Sequence, residues 1–258
     1  MSLLTYSENE SRLFGVRFAR YEGPLPDCTA MREEVHYQQL DFVRLKITHA
    51  DDTLFARLHE LGFPWHLLDI HRYYWLDTHQ RPIVLHNGSG LSLRQHTTST
   101  FAAMQQIVAE TFSEMPLGYF RHPVIEKYFP LPLQIKNVSC HIASEFTQTT
   151  NPGKQAWFIE KDGQTIGCGA TNFMPEEAYT VYIGLLPQHR KKNLYDDVIN
   201  LMQYTIQQNG ARYITGSARL HNLSSQAVFE RQGERYLRHD YVIMLMPMLH
   251  VSGKPKRN

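Results

Sequence analysis

The stretch YIGLLPQHRKKNLYDDVINLMQYTIQQNG runs from Tyr182 to Gly210. It begins as an apolar strand, turns at Pro187 and carries four basic residues in a row, His189, Arg190, Lys191 and Lys192. It then continues as an amphipathic helix. A strand-to-helix turn of this kind suits phosphate binding. The start of a helix has unpaired main-chain N–H groups and a partial positive charge of about +0.5. Basic side chains beside it add to the attraction. Such a grip uses backbone, so the lack of glycine between Pro187 and the helix does not exclude it. The same residues would also serve as a solvated basic turn capping an ordinary helix.

A second stretch, HNLSSQAVFERQG, begins at His221. Asn222 reads as the N-cap of a short helix stopped by Gly233. His221 sits at the end of the preceding strand, where an imidazole could relay a proton. The chain has 14 histidines, so a structural or exposed role is the competing reading.

Composition narrows the classes. With 258 residues, 42% of them hydrophobic, the chain can build one large domain or two small ones. A net charge of +1 argues against a general polyanion binder, so no nucleic-acid partner is expected. The tail GKPKRN reads as a frayed terminus. Cys28, Cys140 and Cys168 are far apart and form no CxxC pair. That spacing fits a reducing compartment and argues against a disulfide framework or a metal site. The first residues lack the charged and apolar regions of a signal peptide. No apolar run reaches the ~18 residues that span a membrane. The expectation is a soluble cytoplasmic protein with no membrane partner.

These motifs need a scaffold, and the hydrophobic periodicity supplies one. LFGVRFARYE, from Leu13 to Glu22, alternates as a strand. AMREEVHYQQL reads as a helix and FVRLKIT as a second strand. DDTLFARLHELG is a helix with apolar Leu54, Leu58 and Leu61, stopped at Gly62. FPWHLLDIHRYYWL is a long strand. Residues 1–82 thus read as a small β-α-β-α-β domain, followed by the linker DTHQRPIVLHNGSGL. Residues 90–250 form the second domain. It opens with the strand SLRQHT and the capped helix STFAAMQQIVAETFSE. The segment 115–150 reads as helical in part. Three antiparallel strands follow, QAWFIEKD, QTIGCGATNF and AYTVYIGLLP, with Asp162-Gly163 as a hairpin turn. After the helix ended by Asn209-Gly210 come the strand RYITGSARL, the helix from Asn222 and the closing strand RYLRHDYVIMLM. The helix, glycine and strand around Gly62 echo those around Gly233, with Leu58 matching Phe229. Coincidence between two such units is the alternative.

From residue 90 to 248 this order resembles the GCN5-related N-acetyltransferase (GNAT) family. The resemblance rests on three features in sequence: a hairpin feeding YIGLLP, an arginine in HRKKNLY before a helix, and HNLSSQAVFERQGERY. The last is similar to the family's asparagine, an aromatic seven residues on, and a glycine four further. The resemblance implies a mixed α/β fold with a mostly antiparallel sheet flanked by helices, preceded by a truncated GNAT-like half. The segments LFGVRF, LHELGF and YIGLL are similar to bacterial TDP-fucosamine acetyltransferases.

What the resemblance implies about chemistry is specific. The cofactor is acetyl-CoA. Its diphosphate would lie on the main chain around Arg190, Lys191, Lys192, Asn193, Leu194 and Tyr195. The family has small residues where Asn193 and Tyr195 stand here. Asparagine tolerates a left-handed backbone. Tyr195 would have to turn into the core or over the adenine side. Leu185 and Leu186 would pair with the pantetheine arm, Gly184 would let it approach closely, and Asn222 would lie beside it. Phe229 occupies the position where the family often has a tyrosine that protonates the leaving thiolate. Three alternatives follow: the thiolate is a good enough leaving group to need little acid help, another hydroxyl such as Tyr182, Ser224 or Tyr236 takes over, with His221 as a candidate proton relay, or the protein has lost activity. The acceptor side is implied to include Tyr119, Arg121 and Tyr128, with Glu145 and Glu177 as candidate bases. The expected reaction acetylates an amino sugar, in particular a nucleotide-linked deoxysugar. Another small amine or antibiotic, or a non-catalytic acyl-CoA-binding module, are the alternatives. Assembly as a homodimer stays open.

Overall fold

The computed structural model describes residues 2–86, 89–113, 123–147, 151–190 and 194–247. In chain order the first elements are β1 (Thr5–Tyr6), α1 (Glu8–Phe14), β2 (Phe18–Gly23), α2 (Cys28–Tyr37) and β3 (Phe42–Ile47). Then come α3 (Leu54–Glu60), β4 (Trp65–Asp77), β5 (Leu91–Gln95), α4 (Phe101–Ser113), α5 (Pro123–Tyr128) and α6 (Leu131–Glu145). The hairpin strands are β6 (Lys154–Lys161), β7 (Gln164–Phe173) and β8 (Glu177–Leu185). The last are α7 (Tyr195–Gln208), β9 (Tyr213–Arg219), α8 (Leu223–Arg231) and β10 (Arg235–Leu245). The fold is mixed α/β with mostly antiparallel pairing, as expected.

The chain forms two compact units, and both are discontinuous in sequence. The first takes the described residues up to 72, 123–133 and from 238 on; the second takes 73–113 and 134–237. The reason is strand exchange. In the first unit β2 pairs parallel with β3, and β3 pairs antiparallel with the last part of β10, Tyr241 facing Ile47 and Leu245 facing Val43. In the second unit the end of β4 lies beside β9. Each unit is therefore completed by a strand from the other half of the chain.

In the first unit one face carries Ala19, Val43, Leu45, Ile47, Ile243 and Leu245, covered by Met31 and Val35 of α2 and Leu54 and Leu58 of α3. The other face carries Phe18, Phe42, Val242 and Met244. Phe129 closes it, with ring centroids 4.7 Å from Phe14, 5.7 Å from Phe18 and 4.9 Å from Phe42. Edge-on packing at these distances suits the aromatic quadrupoles.

One element differs from the sequence expectation. The strand expected from Leu13 begins only at Phe18, because α1 occupies 8–14. Glu8 and Glu10 favour a helix start, and Gly15 ends the helix with φ 67°. The alternation over 13–17 was the end of that helix and its stop. The hairpin turn is as expected, with Asp162 at φ 50° and Gly163 at φ 80°.

In the second unit β5, β6, β7 and β8 run antiparallel in that order, and β8 pairs parallel with β9. Side chains of β8 alternate between two helical layers. Ile183 and Leu185 face Val198 of α7. Tyr182 faces α4, where its ring stacks on Phe112 at 4.7 Å. Among the described residues no helix is long and apolar enough to cross a membrane.

Phe129 carries much of the cover over one face of the first unit. Phe129→Ala should cost about 3–5 kcal/mol of unfolding free energy. The check is a lower urea midpoint with an unchanged slope.

Candidate active site

The parallel ladder between β8 and β9 stops early. Glu177 pairs with Tyr213, Ala178 with Ile214, Tyr179 with Thr215, and Thr180 with Gly216. Beyond Thr180 and Gly216 no pairing follows between them, yet β8 continues to Leu185 and β9 to Arg219. The strands form a fork with its apex at Thr180–Gly216. At the apex β8 also carries an extra residue. Its pairing with β7 steps from Thr171↔Thr180 to Ala170↔Tyr182, leaving Val181 as a bulge, 38% exposed. Bulges of this kind re-aim a strand.

One face of the fork is apolar. Ile183 from β8 and Ala218 from β9 join Phe229 and Tyr195 in one packed cluster with Tyr74. A Cβ placed on Gly216 would lie 3.6 Å from Phe229 Cζ, so the ring tip of Phe229 closes the apex from this side. The opposite face is polar. There the Tyr179 and Ser217 hydroxyls lie 3.1 Å apart, one residue before and one residue after the last pair. Tyr73 stacks on Tyr179 at 6.1 Å.

The strand-to-helix turn is tied down by Arg190. Its Nε donates to Leu185 O at 3.0 Å and its Nη2 to Thr111 O at 2.6 Å. Arg190 therefore shapes the turn rather than projecting from it. Leu186 N donates to Ile166 O at 2.9 Å, and a single 3-10 turn, Pro187–His189, follows. Helix α7 starts at Tyr195 with no side-chain cap at Leu194. Among the described residues no N-cap side chain accepts from its first-turn N–H groups. Asp196 beside them is held by a bidentate Arg231, at 3.0 and 2.8 Å, which also keeps its carboxyl below the usual range.

The bulky Tyr195 turns inward. Its ring packs with Phe229 and Ile183, burial pushes its phenol up, and its hydroxyl bonds Ser225. Asn222 caps α8, accepting from Ser225 N at 3.2 Å and donating Nδ2 to Ser225 Oγ at 2.8 Å. Leu185 and Leu186 are both buried. Gly184 also makes room within the chain. An added Cβ would collide with Tyr182 Oη, so its space serves the chain's own tyrosine on the α4 side.

Tyr182 itself is engaged. Its hydroxyl donates to Thr111 Oγ1, and burial lifts its phenol well above the usual value. Tyr236 is half exposed, with its ring edge-on to Tyr74 at 6.4 Å. His221 is exposed in the turn before α8. Of the candidate bases, Glu145 pairs with Lys154 at 3.4 Å. Glu177 shares the face of Tyr179 and accepts from Thr215 Oγ1 at 2.7 Å. Tyr128 packs on Phe42 in the first unit, at 5.2 Å. Lys191, Lys192, Asn193, Tyr119 and Arg121 lie outside the described residues.

Sequence reasoning missed Tyr179, Ser217 and Tyr73. The alternation of β8 puts Tyr179 on the face of Glu177, but only the register of the parallel pair brings Ser217 to it.

Residues 114–233 match the family model described as acetyltransferase (GNAT) family. No curated protein matches the sequence. Among solved structures, a conserved protein of unknown function from Staphylococcus epidermidis superposes with TM-score 0.63 at 13% identity, over 96% of this chain and 92% of that one. A GCN5-related N-acetyltransferase from Kribbella flavida gives 0.56 at 12%, over 91% and 83%. A tandem GNAT protein from the clavulanic acid biosynthesis pathway gives 0.52 at 15%, over 89% and 69%. At such identities these likenesses speak for the fold.

Two measurements test this geometry. Arg190→Ala removes both main-chain tethers and should weaken acetyl-CoA binding about tenfold, roughly the worth of one such bond, by calorimetry. The second concerns Glu234, which follows α8 and is buried, its Oε1 accepting from Gln203 at 2.6 Å and its Oε2 without a hydrogen-bond partner among the described residues. Burial raises its pKa to about 8. The folded value lies above the unfolded one, so ionising Glu234 costs stability. That cost is absent below about pH 4.5 and complete above about pH 8. Glu234→Gln should match the native unfolding free energy near the acid end and exceed it at the alkaline end, by on the order of 3–5 kcal/mol at most, read from urea unfolding across pH.

The forked β8–β9 pair and the start of α7 at its mouth both lie within residues 114–233, the segment that matches the acetyltransferase (GNAT) family model.

Proposed function

We propose that the protein transfers the acetyl group of acetyl-CoA to the amino group of an amino sugar, carried on a nucleotide. The fork past Thr180–Gly216 is the observation that carries acetyl transfer. Acetyl-CoA supplies an activated acetyl thioester. The residues at the fork fit it. The β9-facing edge of 181–185 offers main-chain groups to an amide-bearing arm, and the first turn of α7 offers N–H groups to a diphosphate. Arg190 holds that turn against Leu185 and Thr111. Leu185, Leu186, Leu194, Tyr195, Asn222 and Phe229 line or support the same region, with Lys191, Lys192 and Asn193 assigned to the diphosphate from sequence.

The amino-sugar reading draws on the open polar face. Tyr73 and Tyr179 stack there, and Trp75 and Tyr213 meet at 6.3 Å. Flat rings suit the apolar faces of a sugar, while Glu177, Ser217 and Arg219 on the same strands suit its polar groups. Glu177 is the better-placed base of the two named from sequence. Tyr119 and Arg121 are proposed as contacts to a nucleotide, Arg121 to its diphosphate.

The first half is proposed as a truncated copy of the second. β2-α2-β3-α3-β4 repeats the order β8-α7-β9-α8-β10, and the first two strands of each set pair parallel. Gly62 and Gly233 stop the matching helices at φ 73° and 85°. The tandem GNAT likeness is consistent with this. Widely spaced free cysteines and the use of acetyl-CoA suit the cytoplasm.

A second reading, a module that binds acyl-CoA without turnover, is favoured by one observation. Phe229 brings no hydroxyl to the apex. Thermal shift with acetyl-CoA and thiol release with TDP-amino sugars and aminoglycosides separate the two. A raised Tm with thiol release on a TDP-amino sugar is expected. Binding without release on any amine would favour the module, and release only with aminoglycosides would replace the nucleotide-sugar reading.

A further inference from the structure

Transfer from a thioester ends with a proton on the departing sulfur, and Phe229 cannot donate one. We propose that Tyr179 is the proton donor to the leaving thiolate, reaching the apex of the fork from the face opposite Phe229. The inference rests on the acetyl-transfer reading above and adds a residue to it.

The placement follows from register. Tyr179 precedes Thr180, the last paired residue of β8, and Ser217 follows Gly216, its partner on β9. Side chains alternate across a strand, so Tyr179 and Ser217 project to the same face. Their hydroxyls, 3.1 Å apart, cross from one strand to the other over the last pair. The absent Cβ of Gly216 points the other way, to Phe229 Cζ. An acyl group at the apex would therefore have the Phe229 ring on one side and the Tyr179 phenol on the other. The stacked Tyr73 limits the Tyr179 ring to few orientations. Three other tyrosines of the region point or pack elsewhere. Tyr182 bonds Thr111 toward α4, Tyr195 bonds Ser225 one helical turn from Phe229, and Tyr236 packs on Tyr74.

The step balances without another reactant. The amine nitrogen uses its lone pair to form the carbon–nitrogen bond. The carbon–sulfur bond breaks with its electron pair on sulfur. Tyr179 Oη passes its proton to that sulfur, and the proton shed by nitrogen returns to Tyr179 Oη. Ser217 Oγ keeps the phenol aimed while it is ionised.

The test uses the full chain and Tyr179→Phe, which keeps the ring and its stacking. The kcat should fall about a hundredfold, the usual worth of positioned proton transfer, with the acetyl-CoA Kd and the Tm unchanged. Phe229→Tyr in that background puts a hydroxyl at the apex from the other side and should restore at least tenfold. A second readout needs no turnover. Ultraviolet absorbance follows ionisation of the thiol of bound CoA with pH. Loss of the phenol should move that titration up by about one pH unit, the equivalent of one hydrogen bond to the thiolate. A kcat within threefold of native, or an unmoved titration, overturns the proposal. If the native protein binds CoA yet acetylates no amine, the acceptor reading fails and the titration alone decides on Tyr179. If native protein does not bind CoA, the acetyl-transfer reading falls and takes this inference with it.

Discussion

Everything at the site depends on β8 and β9 ceasing to pair at Thr180–Gly216 while both continue. Main-chain N–H and C=O groups that face a gap instead of a neighbour are costly unless something else bonds them. A sheet interior would normally close such a gap. Here it is held open by three local causes. The Val181 bulge swings β8 away from its former line. Arg190 anchors the end of β8 to α4 through Leu185 O and Thr111 O. The rings of Phe229 and Tyr195 wedge the helical side with apolar bulk. An extended amide-bearing ligand is the natural occupant, since it can do for both edges what the missing ladder would have done.

The same arrangement separates the polar from the apolar work. On the helical face the fork is lined by Ile183, Ala218, Phe229 and Tyr195, and the tyrosine hydroxyl is turned to Ser225. On the other face hydroxyls and a carboxylate lie along the strands, with Glu177 on Thr215 and Tyr179 on Ser217. A cofactor threaded between the strands would therefore meet an apolar wall on one side and proton-handling groups on the other.

The order and type of elements were legible in the sequence wherever periodicity and punctuation agreed. Asp162-Gly163 marked its hairpin because both residues adopt positive φ, and Asn222 marked a helix start because its side chain can accept from a main-chain N–H. α1 was missed because seven residues are too few to show a helical period against the alternation that follows them. The inward turn of Tyr195 was one of two open possibilities, and the presence of Ser225 opposite decides it. At Gly184 the sequence did not show that Tyr182, two residues away, fills the space beside it. Tyr179 and Ser217 were invisible for a general reason. Their meeting depends on the register of two strands separated by a whole helix, and nothing local encodes that.

The exchange of closing strands has a consequence for how the chain folds. β3 has its antiparallel neighbour in β10, nearly two hundred residues later in sequence. Ile243 and Leu245 on that strand are fully buried in the apolar face that α2 and α3 cover. The first unit therefore lacks part of its core until the last strand is made. Loop closure over such a distance costs entropy before any contact repays it, so pairing of this kind forms late. The early half can gather α2, α3, β2 and β3 by local contacts, but its sheet keeps an unpaired edge until β10 arrives. Since β10 follows directly on α8, whose Phe229 closes the fork, completing the first unit and completing the active site draw on the same terminal stretch of chain.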